Sequence, residues 1–308
     1  MSRLVEEAVP AALAGERVDR VVAMLTDLPR SEVARLVAGG RVLVDGQPVT
    51  VKGRRLAEGE RLAVDVPEPA APSLAADPLV PVPVVAEDGE VIVVDKPPGL
   101  VVHPGAGHQS GTLVHGLLAR FPDLADIGAG DPARPGIVHR LDAGTSGLLV
   151  VARTAAAYED LVAQLQARLM VRRYTALVLG TVDGPSGVID APVGRATSDP
   201  TRMAVAAGGR PARTRYEVEA RFTDPVPATL LQCSLETGRT HQVRVHLAAI
   251  GHPVAGDRRY GGARAAVPLD RPFLHAHHLS FRHPGSSATV AFDSPLPADL
   301  EAVRARFR

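Results

Sequence analysis

The chain has 308 residues, enough for two domains, and its 45% apolar share is ordinary for a protein with a packed core. Cations and anions balance at 34 each, which excludes a uniformly basic or acidic surface, and the single cysteine, Cys233, excludes a disulfide framework and a thiolate metal cluster. The sequence opens without a basic leader and apolar stretch, and no apolar run is long enough to span a bilayer, so no membrane association and a cytoplasmic location are expected.

Residues 1–15 carry no clear pattern and are assigned as an N-terminal tail, with an edge strand as the other reading. From Glu16 the pattern turns helical, with Val18, Val21, Val22 and Leu25 apolar. A break at residues 27–29 precedes a second helix, for which Ser31 is the expected N-cap, Val33, Leu36 and Val37 the apolar face, and Gly39-Gly40 the stop. A strand over 41–44, an Asp45-Gly46 turn and a strand over 61–66 complete a compact module at 16–66. Its charge is locally positive: from Arg17 to Val64, nine basic side chains stand against six acidic ones. The wording RVDRVVAMLTDLPRSEVARLVAGGRVLVDGQPV resembles the S4 RNA-binding domain. By that resemblance Arg30, Arg35 and Arg41 are expected to contact phosphates, which gives affinity with little sequence choice. A solvated charged face is the plain alternative for each of them. Residues 67–83 are proline-rich and nearly uncharged, and read as an extended linker.

The second domain is assigned to 84–308. A strand over 90–94 leads into DKPPGLVVHPG, where the prolines and glycine impose a turn and Lys96 and His103 are expected to be scaffold. A helix is expected over 112–121. Residues 136–151 read GIVHRLDAGTSGLLVV: a polar knot with an arginine and a carboxylate, a small-residue turn, then an apolar run suited to a buried strand. Loops held by rigid strands commonly display reactive side chains, and a positioned carboxylate can act as nucleophile or base. A helix over 155–169 should bury a Leu161, Leu165, Leu169 stripe, and an alternating strand should start at Tyr174. Cys233 sits in a strand-like run and is expected in the core. ETGRTHQVRVH, if a regular strand, puts Thr240, Gln242, Arg244 and His246 on one wall. GHPVAGDRRYG and a strand over 274–281 follow.

HRLD with its TSGLL tail, DKPPGLVVHPG, GRTHQVRVH and GHPVAGDRRYG together resemble the RluA/RluD-type pseudouridine synthases, and the DKPPGLVVHPG and RMAV wording leans to the RluD-like branch. One departure is Ala143-Gly144, where the family often has Lys-Asp; it bears on loop contacts with RNA. The resemblance implies an α+β fold, a small S4-like module followed by a larger catalytic domain on a mixed or antiparallel sheet with flanking helices. It implies Asp142 as the catalytic residue, Tyr174 packed near a flipped base, and Arg244 as the partner of Asp142. Arg140, filling the gap left by the base, and Arg239 are its implied RNA contacts. The implied activity is isomerisation of uridine in large-subunit (23S) ribosomal RNA or a pre-ribosomal particle, with no metal and no cofactor; a monomer is expected, and the sequence leaves the oligomeric state open.

Rival readings are weaker. His241, His246, His252, His275, His277 and His278 suggest a metal site, but no HExxH or paired His-acid spacing occurs. A glycosidase would need a second facing carboxylate, and none stands out. A relative with another RNA target and a non-catalytic S4-type binder remain as alternatives; the latter has no need of the aspartate, tyrosine and arginine motifs together.

Overall fold

The computed structural model describes residues 2–26, 28, 30–67, 74–105, 108–197, 199 and 202–308. The chain divides into two compact units, residues 1–73 and residues 74–308. None of the described helices is long and apolar enough to cross a membrane.

In the first unit, strand β1 (Ser2–Ala8) is followed by helices α1 (Val18–Thr26) and α2 (Arg30–Ala38), then β2 (Val42–Val44), β3 (Gln47–Pro48) and β4 (Arg61–Pro67). The sheet order is β1-β4-β2-β3. The first residues are therefore an edge strand and not a tail. Their apolar pattern is weak (Leu4 is 60% exposed), and the antiparallel ladder from Ser2–Pro67 to Ala8–Arg61 holds them. Ser31 is the second residue of α2 instead of its cap. Gly40, at φ 69°, ends that helix as expected. Valines 18, 21, 22, 33, 37, 42, 44 and 64 with Leu36 and Leu62 form this unit's core.

Of the expected linker, residues 68–73 lie outside the described residues. Residues 74–83 belong to the second unit, where Leu74 and Val82 pack on its core and Asp77 N–H donates to the His115 carbonyl at 2.9 Å. Prolines keep this stretch extended, but its spaced apolar side chains give it something to bury.

The second unit runs β5 (Val84–Glu87), β6 (Val91–Lys96), α3 (Leu113–Arg120), β7 (Ser146–Ala152), α4 (Ala155–Gln166), β8 (Val171–Leu179), β9 (Ser186–Asp190), β10 (Val193–Arg195), β11 (Met203–Val205), β12 (Arg213–Phe222), β13 (Ala228–Leu235), α5 (Gln242–Ala249), β14 (Leu274–Arg282), β15 (Thr289–Asp293) and α6 (Ala298–Arg304). Its nine-stranded sheet has the order β5-β6-β7-β14-β8-β13-β12-β9, with β15 added on β14; β10 and β11 pair separately. Only β7 and β14 are parallel neighbours, so the sheet is mixed, as the resemblance implied.

Strand β7 is the apolar run after the HRLD knot. Every one of its residues is buried, and each fully buried Leu or Val contributes roughly 1.5–3 kcal/mol. The Leu stripe on α4 is shorter than expected. The helix ends at Gln166, Arg168 takes φ 60°, and Leu169 is 63% exposed.

The largest correction concerns GRTHQVRVH. It contains no strand: Gln242–Ala249 is helix α5, entered through His241 at φ 58°. Six consecutive residues, Gln242 to Leu247, are buried. A helix buried all round has no amphipathic period, so a short alternation of polar and apolar residues could not tell helix from strand.

Gly147 permits the parallel β7–β14 contact. It sits at φ 115°, paired with Ala276, and a Cβ there would overlap the Ala276 backbone. Gly147→Ala is expected to lower unfolding stability by about 2–4 kcal/mol. Chemical denaturation measures it, and an unchanged midpoint would contradict this role.

Candidate active site

Asp142 stands on the loop just before β7. The Asp142 carbonyl accepts the Thr145 N–H at 3.0 Å, closing a turn that displays the carboxylate. The next carbonyl, of Ala143, accepts Gly99 N–H at 2.7 Å and Lys96 Nζ at 3.2 Å. Lys96 is fully buried and also donates to the carbonyls of Pro97 and Leu100, each at 2.8 Å. Burial pushes its pKa down to about 7, against the pull of the Asp142 carboxylate. Three carbonyl acceptors match the three donors of an ammonium. The DKPPG turn is therefore a clamp on the Asp142 loop.

Arg244, on the first turn of α5, reaches the same carboxylate. Its Nη1 donates to Asp142 Oδ2 at 2.9 Å. Its other edge is held in a fork by Asp257: Nε to Oδ2 at 2.6 Å and Nη2 to Oδ1 at 3.0 Å. Asp257 is 1% exposed and takes the Arg259 N–H as well, at 3.0 Å. The guanidinium lies over the Tyr260 ring, 5.0 Å from its centroid. Burial opposes the Arg244 charge, but the hydrogen bonds and charges of Asp257 and Asp142 outweigh it and its pKa rises. A planar fork fixed on one side presents its other edge in one direction.

His241 completes this side. Its Nδ1 is 2.8 Å from the Tyr260 hydroxyl, and its Nε2 is 3.9 Å from Asp142 Oδ1. Burial lowers the His241 pKa, against the attraction of Asp142.

These groups open into a cleft of about 580 Å³. Tyr174, on β8, lines it with its ring buried, and burial raises the phenol pKa so that it keeps its proton. The cleft is cationic in a chain of zero net charge: Arg134, Arg140, Arg168, Arg172, Arg210, Arg239 and Arg244 line it, against Asp142 and Glu236. Clefts lined with one sign of charge concentrate ligands of the other.

The fold thus gathers Asp142, Tyr174, Arg244, Arg140 and Arg239 around one cavity. Arg140 is exposed there, its Nη1 3.4 Å from His103 Nε2. Arg239 spends its Nε on the Pro211 carbonyl at 3.0 Å. Gln242 fixes the adjoining loop, accepting Thr237 Oγ1–H at 2.7 Å and Arg239 N–H at 3.0 Å. Arg35 and Arg41 belong to the first unit, exposed and paired with Glu32 at 3.5 Å and Asp65 at 3.1 Å. The Arg30 side chain lies outside what is described.

The sequence reading gave no role to Asp257 and Tyr260 and weighed His241 only as a metal ligand. The first two stand in GDRRYG, whose acid and tyrosine three residues apart were the available signal. The histidines that suggested a metal are dispersed. His246 contacts Thr214 Oγ1 at 2.9 Å, His252 the Leu179 carbonyl at 3.0 Å, and His275 Ser146 Oγ at 3.0 Å.

Two outcomes are expected. Asp257→Asn removes the charge that holds Arg244, and kcat should fall by about 10²-fold through misplacement of the Asp142–Arg244 pair; wild-type turnover would rule this out. The second concerns acid. Burial, with the Arg172 charge next, pushes the His139 pKa from 6.5 to about 3. The unfolded imidazole binds its proton near 6.5 and the folded one does not, so the unfolded state holds more protons in this window and stability is lost as pH falls through it. Tm should drop between about pH 7 and about pH 4, and less steeply in His139→Gln; identical slopes would exclude His139 as a source.

Comparisons with known proteins bear on the family of the chain. The family model for RNA pseudouridylate synthase matches residues 90–249, and that for the S4 domain residues 16–62. A Nitrosomonas europaea protein named ribosomal large subunit pseudouridine synthase D is 45% identical over 307 residues, covering 97% of this chain and 86% of that one. An uncharacterized RNA pseudouridine synthase of Chloroflexus aurantiacus is 48% identical over 305 residues, covering 96% and 91%. The solved structure of human RNA pseudouridylate synthase domain containing 1 superimposes with a TM-score of 0.57 at 28% identity, over 74% of this chain and 88% of that one. With a catalytic-domain match over half its length and relatives at this identity along nearly all of it, the chain belongs to the RNA pseudouridine synthase family and is an enzyme of that family with an S4 domain at its N-terminal end.

Proposed function

We propose that this enzyme converts uridine to pseudouridine in large-subunit ribosomal RNA, with Asp142 as its catalytic residue. The observation that carries the assignment is the 2.9 Å contact between Asp142 Oδ2 and Arg244 Nη1 in a cleft that Tyr174 also lines. The ribosomal target is supported by relatives named for large-subunit modification, 45% and 40% identical to this chain over 307 and 327 residues. With a ribosomal substrate, the working enzyme of this proposal is a cytoplasmic monomer.

In this reaction the bond from ribose C1′ to base N1 breaks and a bond from C1′ to C5 forms. The hydrogen on C5 leaves as a proton, and N1 gains one. Nothing is oxidised or reduced. A uridine inside folded RNA must first leave its stack. Tyr174 offers the flipped base an aromatic face, a contact on the order of 1–3 kcal/mol, and Arg140 occupies the space that the base leaves. Asp142 acts on the bound nucleotide as nucleophile or base, oriented by Arg244. Arg239 at the cleft, and Arg30, Arg35 and Arg41 in the S4 domain, hold phosphates and add salt-dependent affinity.

Tritium release from ribosomal RNA carrying uridine labelled at C5 tests the assignment. Wild type should release label, while Asp142→Asn should release none, with RNA affinity and Tm preserved. Turnover by that variant would falsify the role of Asp142, and no release by wild type from any large-subunit fragment would remove the ribosomal target.

A further inference from the structure

Five buried side-chain atoms lack a hydrogen-bond partner among the described residues, and four of them belong to cleft residues: His103 Nδ1, His139 Nδ1, Thr145 Oγ1 and Arg172 Nε. Buried polar groups are nearly always paired, since an orphan bears its full desolvation cost. Their concentration on one set of walls marks surfaces that a ligand completes.

Two of these orphans act on each other. Arg172 lies on β8 two residues before Tyr174, so both side chains share one face of the strand, and both are buried. Among the described residues no carboxylate is paired with Arg172: Asp142 is engaged by Arg244, and Glu236 by Arg168 at 2.9 Å and Arg215 at 2.7 Å. The guanidinium abuts the backbone of Gly238, where a methyl group would stand 2.9 Å from Nη1. His139 feels the Arg172 charge directly. Its Nε2 accepts the Val150 N–H at 3.1 Å, so the neutral ring carries its proton on Nδ1, the orphan atom. Two donors without acceptors, one of them a full cation, therefore line the same cleft as Tyr174 and Asp142.

A buried cation without a counter-ion is costly. A neutral carbonyl would satisfy its hydrogen bonds and leave its charge unbalanced, whereas a phosphodiester satisfies both and fits the guanidinium fork. We propose that Arg172, with the Nδ1–H of His139 beside it, binds a phosphate of the RNA backbone adjacent to the uridine that enters the cleft. Arg172 is then a binding residue that draws in the neighbouring nucleotide. The inference rests on RNA being the substrate and not on which uridine is modified.

The test uses a ribosomal RNA fragment that the wild type binds, with each phosphate flanking the uridine replaced in turn by an uncharged methylphosphonate. Kd and tritium release are read for wild type and Arg172→Met. One replacement should weaken wild-type binding by about 10- to 100-fold, the worth of a charge-assisted hydrogen bond. Arg172→Met should show that loss already with unmodified RNA and be indifferent to the same replacement. Losses that multiply at every position would overturn the proposal. So would wild-type Kd values unaffected by any replacement, or an Arg172→Met defect that follows changes to the uracil carbonyls instead. Removing an unpaired buried cation should leave Tm of the free protein equal or higher. Should the Met variant fail to fold, Arg172→Lys carries the test, losing more affinity for the unmodified RNA than for the methylphosphonate one; equal losses overturn the claim. Absence of tritium release by the wild type, with the Kd pattern intact, would count against the uridine assignment alone.

Discussion

The arrangement at the cleft depends on one buried ion pair, Arg244 with Asp257. Two hydrogen bonds at 2.6 and 3.0 Å consume one edge of the guanidinium. On the other edge, Nη1 is aimed at Asp142. Breaking a buried pair by removing one partner costs about 3–5 kcal/mol, because a charge is left uncompensated. That cost makes the pair a rigid bracket. Asp142 meets its cation in one orientation, while its own loop is held from behind by Lys96 and Gly99. The Asp142 carboxylate sits between two supports from distant parts of the chain.

The cleft around this bracket is less settled than the core beneath it. Strand β7 is buried along its whole length and shares a core with β6, β8 and β14. The cleft wall instead carries excess positive charge and polar atoms without partners. Both features oppose folding. They are tolerated because the strands under them are well packed, and the proposed phosphate contact would relieve both. Such local conflict with good packing is the usual mark of function.

The domain division follows the same logic. The first unit is small, with a core mostly of valines, and its Arg35 and Arg41 are exposed and only loosely paired. Exposed pairs of this kind are worth about 0–1 kcal/mol, so a phosphate can displace the carboxylate at little cost. A chain with zero net charge can still present a basic face, because its cleft gathers seven arginines against two carboxylates.

The sequence by itself determined much of this. Continuous apolar runs identified β6 and β7, turn residues placed the loops, and motif wording located Asp142, Tyr174 and Arg244. These signals are local, written in adjacent residues. Tertiary structure decided the rest. Residues 1–15 lack an apolar face, and only pairing with β4 makes β1 a strand. The Arg244 segment reads as alternating, and only burial on every side makes it a helix. Asp142 and Arg244 are 102 residues apart, so their contact exists only once the sheet has formed. The isolation of Arg172 is likewise invisible in sequence, because a charge is paired or unpaired only by what folding brings beside it.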